Sequence, residues 1–158
     1  MNSLVVYESK FGNTQKLAEV TSKVLGSHGL ARILEIDDPY ALQLDAVDLL
    51  MIGGPTQAHS MSPGMRVYVE ALIARAPAGI RAVTFDTRLK GPGLLWGSAA
   101  KAIAAQLRRA GYELVAPAES FLVEGMKEPR LVAGEEQRAQ AWAAEIGAQV
   151  SQQYLATV

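Results

Sequence analysis

The residues best equipped for chemistry in this chain are Ser9-Lys10-Phe11-Gly12-Asn13-Thr14. They follow the apolar run Leu4-Val5-Val6-Tyr7 and open a helix-period stretch from Gln15. A strand that ends in such a turn and feeds a helix presents free backbone N–H groups, and the positive end of the helix dipole, to an anion. The hydroxyls of Ser9 and Thr14 add donors, and Gly12 permits close approach or a positive φ. A phosphate monoester is the expected ligand. Lys10 either neutralises it or faces solvent. The same residues also fit an ordinary helix start with no ligand, whereas a nucleotide P-loop is excluded because Gly-x-x-x-x-Gly-Lys-Ser/Thr is absent.

Two further polar segments follow apolar runs. Gly53-Gly54-Pro55-Thr56-Gln57-Ala58-His59-Ser60-Met61-Ser62 is glycine-led and rich in hydrogen-bonding groups, and Phe85-Asp86-Thr87-Arg88 precedes a Gly91-Pro92-Gly93 stretch. His59 is the one histidine in a candidate site; it either takes part in proton transfer there, packs the loop or faces solvent. Asp86 and Arg88 either serve a ligand or pair as a strand-end salt bridge. Trp96 either stacks on a ligand or packs ahead of the next helix, and Trp142 sits at core spacing. His28 reads as an exposed helix-end residue.

The elements that must position these loops alternate. Strands are expected at Leu4–Tyr7, Arg32–Ile36, Asp48–Ile52 and Ile80–Phe85, and helices at Gln15–Leu25, from Ser62-Pro63 to about Ala74, from Ser98 to Ala110, and at Glu135–Gln149. A fifth strand is broken into Glu113–Val115 and Ser120–Val123 by Ala116-Pro117-Ala118, which places it at a sheet edge. Strands alternating with helices require a parallel sheet covered on both faces. The three loops then share the carboxyl ends of strands one, three and four, and the crevice where strand order reverses lies beside strands one and three.

Composition narrows the classes. With 158 residues, 49% apolar and 20% charged, the chain reads as one globular domain over residues 1–158. The absence of cysteine excludes disulfides, thiolate metal sites and a cysteine nucleophile, and two histidines make a histidine-rich metal centre implausible, so no metal is expected. No apolar run reaches the ~18 residues of a membrane span, and no signal peptide is evident, so a cytoplasmic protein is expected. Net charge is −1, yet residues 61–110 carry eight basic and two acidic side chains. That basic third attracts an anionic partner or forms solvated helix faces; it lacks the pattern of a nucleic-acid binder.

Strand, Ser-x-x-Gly-Asn-Thr, helix resembles the FMN-phosphate loop of the flavodoxin-like family. Gly53-Gly54-Pro55-Thr56 through Met61, with Met65-Arg66 and Tyr68, is similar to the second flavin loop of flavodoxin-like quinone reductases. Ser120-Phe121-Leu122-Val123-Glu124-Gly125, with Gly134-Glu135 and Arg138 to Trp142, is similar to a group of bacterial flavodoxin-domain proteins. The resemblance spans nearly the whole chain. It implies an α/β, three-layer α/β/α sandwich with a five-stranded parallel sheet of order 2-1-3-4-5. It implies FMN as cofactor, with Ser9, Lys10, Phe11, Gly12, Asn13 and Thr14 around the phosphate. Pro55, Thr56, Gln57, Ala58, His59 and Ser60 would lie along the ribityl chain and ring edge, and Phe85, Asp86, Thr87 and Arg88 at the pyrimidine end.

The chain departs from that pattern at the ring. The aromatic residues that electron-carrying flavodoxins place against it have only His59, Met61, Phe85 and Trp96 as substitutes. No glycine lies between Gly54 and Gly64, and Ser60 stands where related loops have one; a non-glycine residue at positive φ costs roughly 1 kcal/mol or more. A weakly stabilised one-electron state follows. Flavodoxins are also strongly acidic, and this chain is near neutral. Three readings stand: an FMN-binding electron-transfer protein serving a redox partner protein or small-molecule acceptor, an NAD(P)H-dependent FMN quinone reductase, and a non-redox module with a degenerate flavin site.

Overall fold

The computed structural model describes residues 1–75, 79–92 and 96–157. One sheet runs through them in the order β2 (Leu30–Glu35), β1 (Asn2–Tyr7), β3 (Leu49–Pro55), β4 (Arg81–Leu89), β6 (Glu119–Glu124), β7 (Arg130–Leu131), with β5 (Glu113–Leu114) also paired to β4. β1 (Asn2–Tyr7) lies between β2 (Leu30–Glu35) and β3 (Leu49–Pro55), parallel to both. β3 is buried from Leu49 to Gly54, as its unbroken apolar run requires of a strand covered on both faces.

Alternate residues of each strand feed two separate cores. Leu4, Val6, Leu50 and Ile52 pack against helices α2 (Pro63–Arg75) and α3 (Ala99–Arg109). Val5, Tyr7, Leu49 and Met51 pack against α1 (Asn13–Leu25) and α4 (Glu135–Thr157). Each such fully buried aliphatic side chain contributes about 1.5–3 kcal/mol relative to exposure. The segment between β2 and β3 holds no α-helix; it makes a 3-10 turn, Pro39–Leu42, whose first turn is closed by Tyr40 N–H donating to Asp38 Oδ1 at 2.8 Å.

The extent of β4, the far edge of the sheet and its strand count differ from the sequence expectation. β4 (Arg81–Leu89) continues through Asp86, Thr87 and Arg88, which were expected in a loop. Their polar character reflects what they hold, because the backbone there pairs with β3 on one side and β6 on the other. The broken fifth strand is confirmed as a split. β5 (Glu113–Leu114) and β6 (Glu119–Glu124) both run parallel to β4, against its first and last residues. Pro117, lacking an N–H, falls in the gap. This position is not the outer edge along its whole length: β7 (Arg130–Leu131) pairs antiparallel with Val123 and Glu124, a two-residue strand too short to show periodicity. The sheet therefore has seven strands rather than five.

α4 spans 23 residues, well past the expected end at Gln149. His28 is half-buried against it, since a β-carbon at Gly147 would lie 2.5 Å from the imidazole. Among the described residues no helix is long and apolar enough to cross a membrane.

Candidate functional site

Phe85 shows how the sheet shapes the site from below. Its ring lies over Gly53, the residue registered with it on β3; a β-carbon at Gly53 would sit 2.0 Å from it. Phe121 and Trp142 meet it edge to face, with centroids 6.2 and 6.1 Å away. Phe85 is thus a core residue beneath the loops and does not line the cleft.

Above this floor, α1 begins at Asn13 with Gly12 as N-cap at φ 87°, and no side chain caps its first turn. Gly12 N–H donates instead to Ser9 Oγ at 3.1 Å. The first-turn N–H groups lack intrahelical acceptors by geometry. They open on a cleft of about 530 Å³ whose walls include Ser9, Lys10, Phe11, Asn13 and Thr14. The other two helix starts on these loops are closed by protein atoms. In α2, Met65 N–H donates to Ser62 Oγ. In α3, Ala99, Ala100 and Lys101 donate to Thr56 Oγ1, Asp86 Oδ2 and Ser98 Oγ at 3.0, 2.9 and 3.1 Å. The donor set at α1 thus suits an external anion, while the chemistry at α2 and α3 is already internal.

Thr14 and Thr87 join the first loop to β4 through hydroxyls 2.9 Å apart, both buried at the cleft floor. Thr56 N–H donates to the Thr87 carbonyl at 2.8 Å, bringing the second loop onto the same point. Pro55, Thr56, Gln57 and Ala58 form the opposite wall, with Thr87 and Arg88 below. A smaller recess of about 240 Å³ shares Thr56, Ala58 and Arg88 and continues to His59 and Trp96. Lys10 is exposed, its ammonium 5.4 Å from the Phe11 ring centroid.

The second loop turns tightly. Gln57 and Ser60 exchange both backbone hydrogen bonds, at 2.8 and 2.9 Å. The two residues between them, Ala58 and His59, have φ 44° and 68°. A two-residue turn with both central residues at positive φ strongly favours Asn-Gly, and here it is built from alanine and histidine. The strain expected at Ser60 therefore sits one and two residues earlier.

Of the sixteen residues singled out from sequence, the cleft and its recess gather Ser9, Lys10, Phe11, Asn13, Thr14, Pro55, Thr56, Gln57, Ala58, His59, Thr87 and Arg88. Gly12 shapes the loop without lining the cleft, and Ser60 closes the turn. Asp86 is corrected along with Phe85. It is fully buried, does not line the cleft, and accepts from Ser98 Oγ and the Ala100 N–H at the start of α3. Asn13 lines the cleft but spends its amide on the Pro129 carbonyl, at 2.7 Å.

Leu89, Val123, Met126 and Pro129 line the cleft and were missed. Gly125 and Pro129 bracketing a polar stretch are a turn signal, and Gly125 has φ 99°. What sequence could not show is that this turn folds back over the first loop. Among the described residues no group of three or more histidine, aspartate or glutamate side chains is placed to hold a metal ion.

No protein-family model matches the chain, and no curated protein matches it. Solved structures do. An archaeal flavodoxin is 22% identical with a TM-score of 0.78, over 95% of this chain and 99% of that one. Oxidised flavodoxin 1 from Bacillus cereus is 16% identical with a TM-score of 0.74, over 96% and 98% of the two chains. The flavodiiron core of Flv1 from Synechocystis is 16% identical with a TM-score of 0.76; it covers all of this chain, which spans 37% of that protein. The protein has the flavodoxin-like fold, with its open helix start, second loop and β4 end converging at the carboxyl edge of the sheet.

Proposed function

We propose that residues 1–158 form a single flavodoxin-like domain that binds FMN and transfers electrons. The observation that carries this reading is the contrast between helix starts. Only α1, among the three facing the cleft, presents its first turn to the cleft uncapped by a side chain, with the Thr14–Thr87 hydroxyl pair at its base. The phosphate of FMN would be held by those N–H groups with Ser9 and Thr14, charge-assisted hydrogen bonds being about twice as strong as neutral ones. Pro55, Thr56, Gln57 and Ala58 would line the ribityl chain, and His59 and Trp96 the ring recess. When bound, the flavin supplies the redox chemistry; the protein orients it and limits access of water. Flavodoxin neighbours of near-equal length support the reading.

Incubation with FMN followed by gel filtration tests this. A yellow protein with a stoichiometric, shifted flavin spectrum is expected. A colourless protein would leave only the non-redox module. Rapid NAD(P)H oxidation by the isolated loaded protein with a quinone would replace the electron-carrier reading with that of a reductase.

A further inference from the structure

At the cleft mouth the Met126 hairpin, with the exposed Lys90, Lys127 and Arg130 around it, has no part in the proposed cofactor cradle. Of the large apolar side chains exposed among the described residues, Phe11 (54%), Met126 (81%) and Trp96 (38%) all line this cleft or its recess. Apolar side chains clustered on one rim mark a contact surface rather than scatter. The charges interleaved with them are mostly positive. Lys10 lines the cleft, Lys90 follows Leu89 at its wall, Lys127 follows Met126, and all three are exposed. Arg130 closes the same hairpin, loosely paired with Glu128 at 3.8 Å, and Glu124 is the other acidic group there. Glu8 is half-buried and held by Ser62, and Asp86 is buried beneath α3, so neither presents its carboxylate on the surface of the mouth.

The hairpin that carries Met126 and Lys127 is held in place. Asn13 Nδ2 donates to the Pro129 carbonyl at 2.7 Å, and Lys90 N–H to the Val123 carbonyl at 2.8 Å. A preformed apolar centre with a cationic rim needs little ordering on association. The acidic surface lies elsewhere, where Glu19, Glu35, Asp37 and Asp38 line a separate recess beside β2.

From this we infer that the cleft mouth, from Phe11 across to the Met126 hairpin, is a docking face for a protein partner whose own contact surface is acidic around an apolar centre. The proposal deepens the electron-transfer reading by naming the partner's chemistry, and rests on it for the partner being a redox protein. Opposite potentials steer encounter and fix orientation, and they are screened by salt.

Backbone amide NMR shifts on titration with poly-L-glutamate at low ionic strength test it directly, with or without flavin. The expected shifts fall on residues 10–13, 88–91 and 123–130 and vanish at high salt. The double substitution Lys90→Glu with Lys127→Glu weakens the binding at least about fivefold, while Lys23→Glu, on the last turn of α1, does not. In the loaded protein, reoxidation of the reduced flavin by anionic ferricyanide slows as salt rises, and the double variant flattens that slope. Shifts confined to this face in a protein that takes up no flavin would uphold the docking face while overturning the cofactor reading. Shifts spread evenly, an undiminished response in the double variant, or preference of this face for poly-L-lysine would overturn the proposal.

Discussion

Gly97 and His59 touch through backbone alone: a β-carbon on Gly97, at its φ of 65°, would lie 1.9 Å from the His59 carbonyl oxygen. The contact presses the start of α3 onto the strained turn of the second loop, and Ala99 N–H to Thr56 Oγ1 secures it from the other side. Gly97→Ala must displace the turn, and a loss of about 2–3 kcal/mol is expected. Gly79→Ala, with a similar positive φ but nothing within 4 Å, costs only the backbone penalty of about 1–2 kcal/mol. Urea denaturation of both variants checks the difference; equal losses would show that the contact is slack.

The Ala58-His59 turn holds two residues where asparagine and glycine are preferred. Replacing the pair by Asn-Gly relieves the positive-φ strain and raises stability by about 1 kcal/mol. The midpoint of urea unfolding moves upward at unchanged slope. A midpoint that stays or falls would mean the side chains of Ala58 and His59 contribute more than their backbone costs.

Thr14 and Thr87 each keep the other's hydroxyl satisfied below the cleft. Thr87→Val leaves a buried hydroxyl on Thr14 without that partner and costs about 1–2 kcal/mol. The double Thr14→Val, Thr87→Val variant costs less than the two single changes added, because it removes both polar groups together. FMN binding, followed by fluorescence quenching, weakens about tenfold with Thr14→Val, the equivalent of one charge-assisted hydrogen bond. Additive stability losses would show the pair is uncoupled.

The parts legible in the sequence are those where one signal dominates. The buried run of β3, the Ser62-Pro63 and Ser98 helix starts and the Pro117 break each correspond to an observed element. The first-loop motif appears as an uncapped helix start. Illegible parts are those where a polar residue is used internally. Asp86 has the chemistry of a ligand contact, yet sheet register turns it under α3, and only the fold reveals the N–H groups waiting there. Phe85 has the character of a stacking residue, but Gly53 opposite it makes room for its ring in the core. Met126 gave no periodic signal, since β7 spans two residues and the hairpin gains its position from Asn13.

Glu135 ties α4 to β6 by accepting the Leu122 N–H at 2.6 Å and the Arg138 guanidinium at 2.8 Å. The hydrogen bonds from Arg138 hold its carboxyl below the usual range, against the opposing effect of burial, with the Leu122 N–H adding to the lowering. Because the folded value is depressed, the stabilisation is present above the unfolded value of ~4.3 and is lost as pH falls through the folded one. Glu135→Gln removes this linkage, so its stability declines less steeply than wild type between pH 5 and 3. Parallel acid limbs in the two proteins would contradict the assignment.

The central claim is that the first turn of α1 holds a phosphate and thereby anchors the flavin. The most direct measurement compares FMN with riboflavin, which has the same ring and ribityl chain without the phosphate, by fluorescence quenching at fixed ionic strength. If the cradle anchors the ligand, FMN binds at least about 100-fold tighter, near 2.7 kcal/mol. Equal affinities, or no binding of either, would contradict the account.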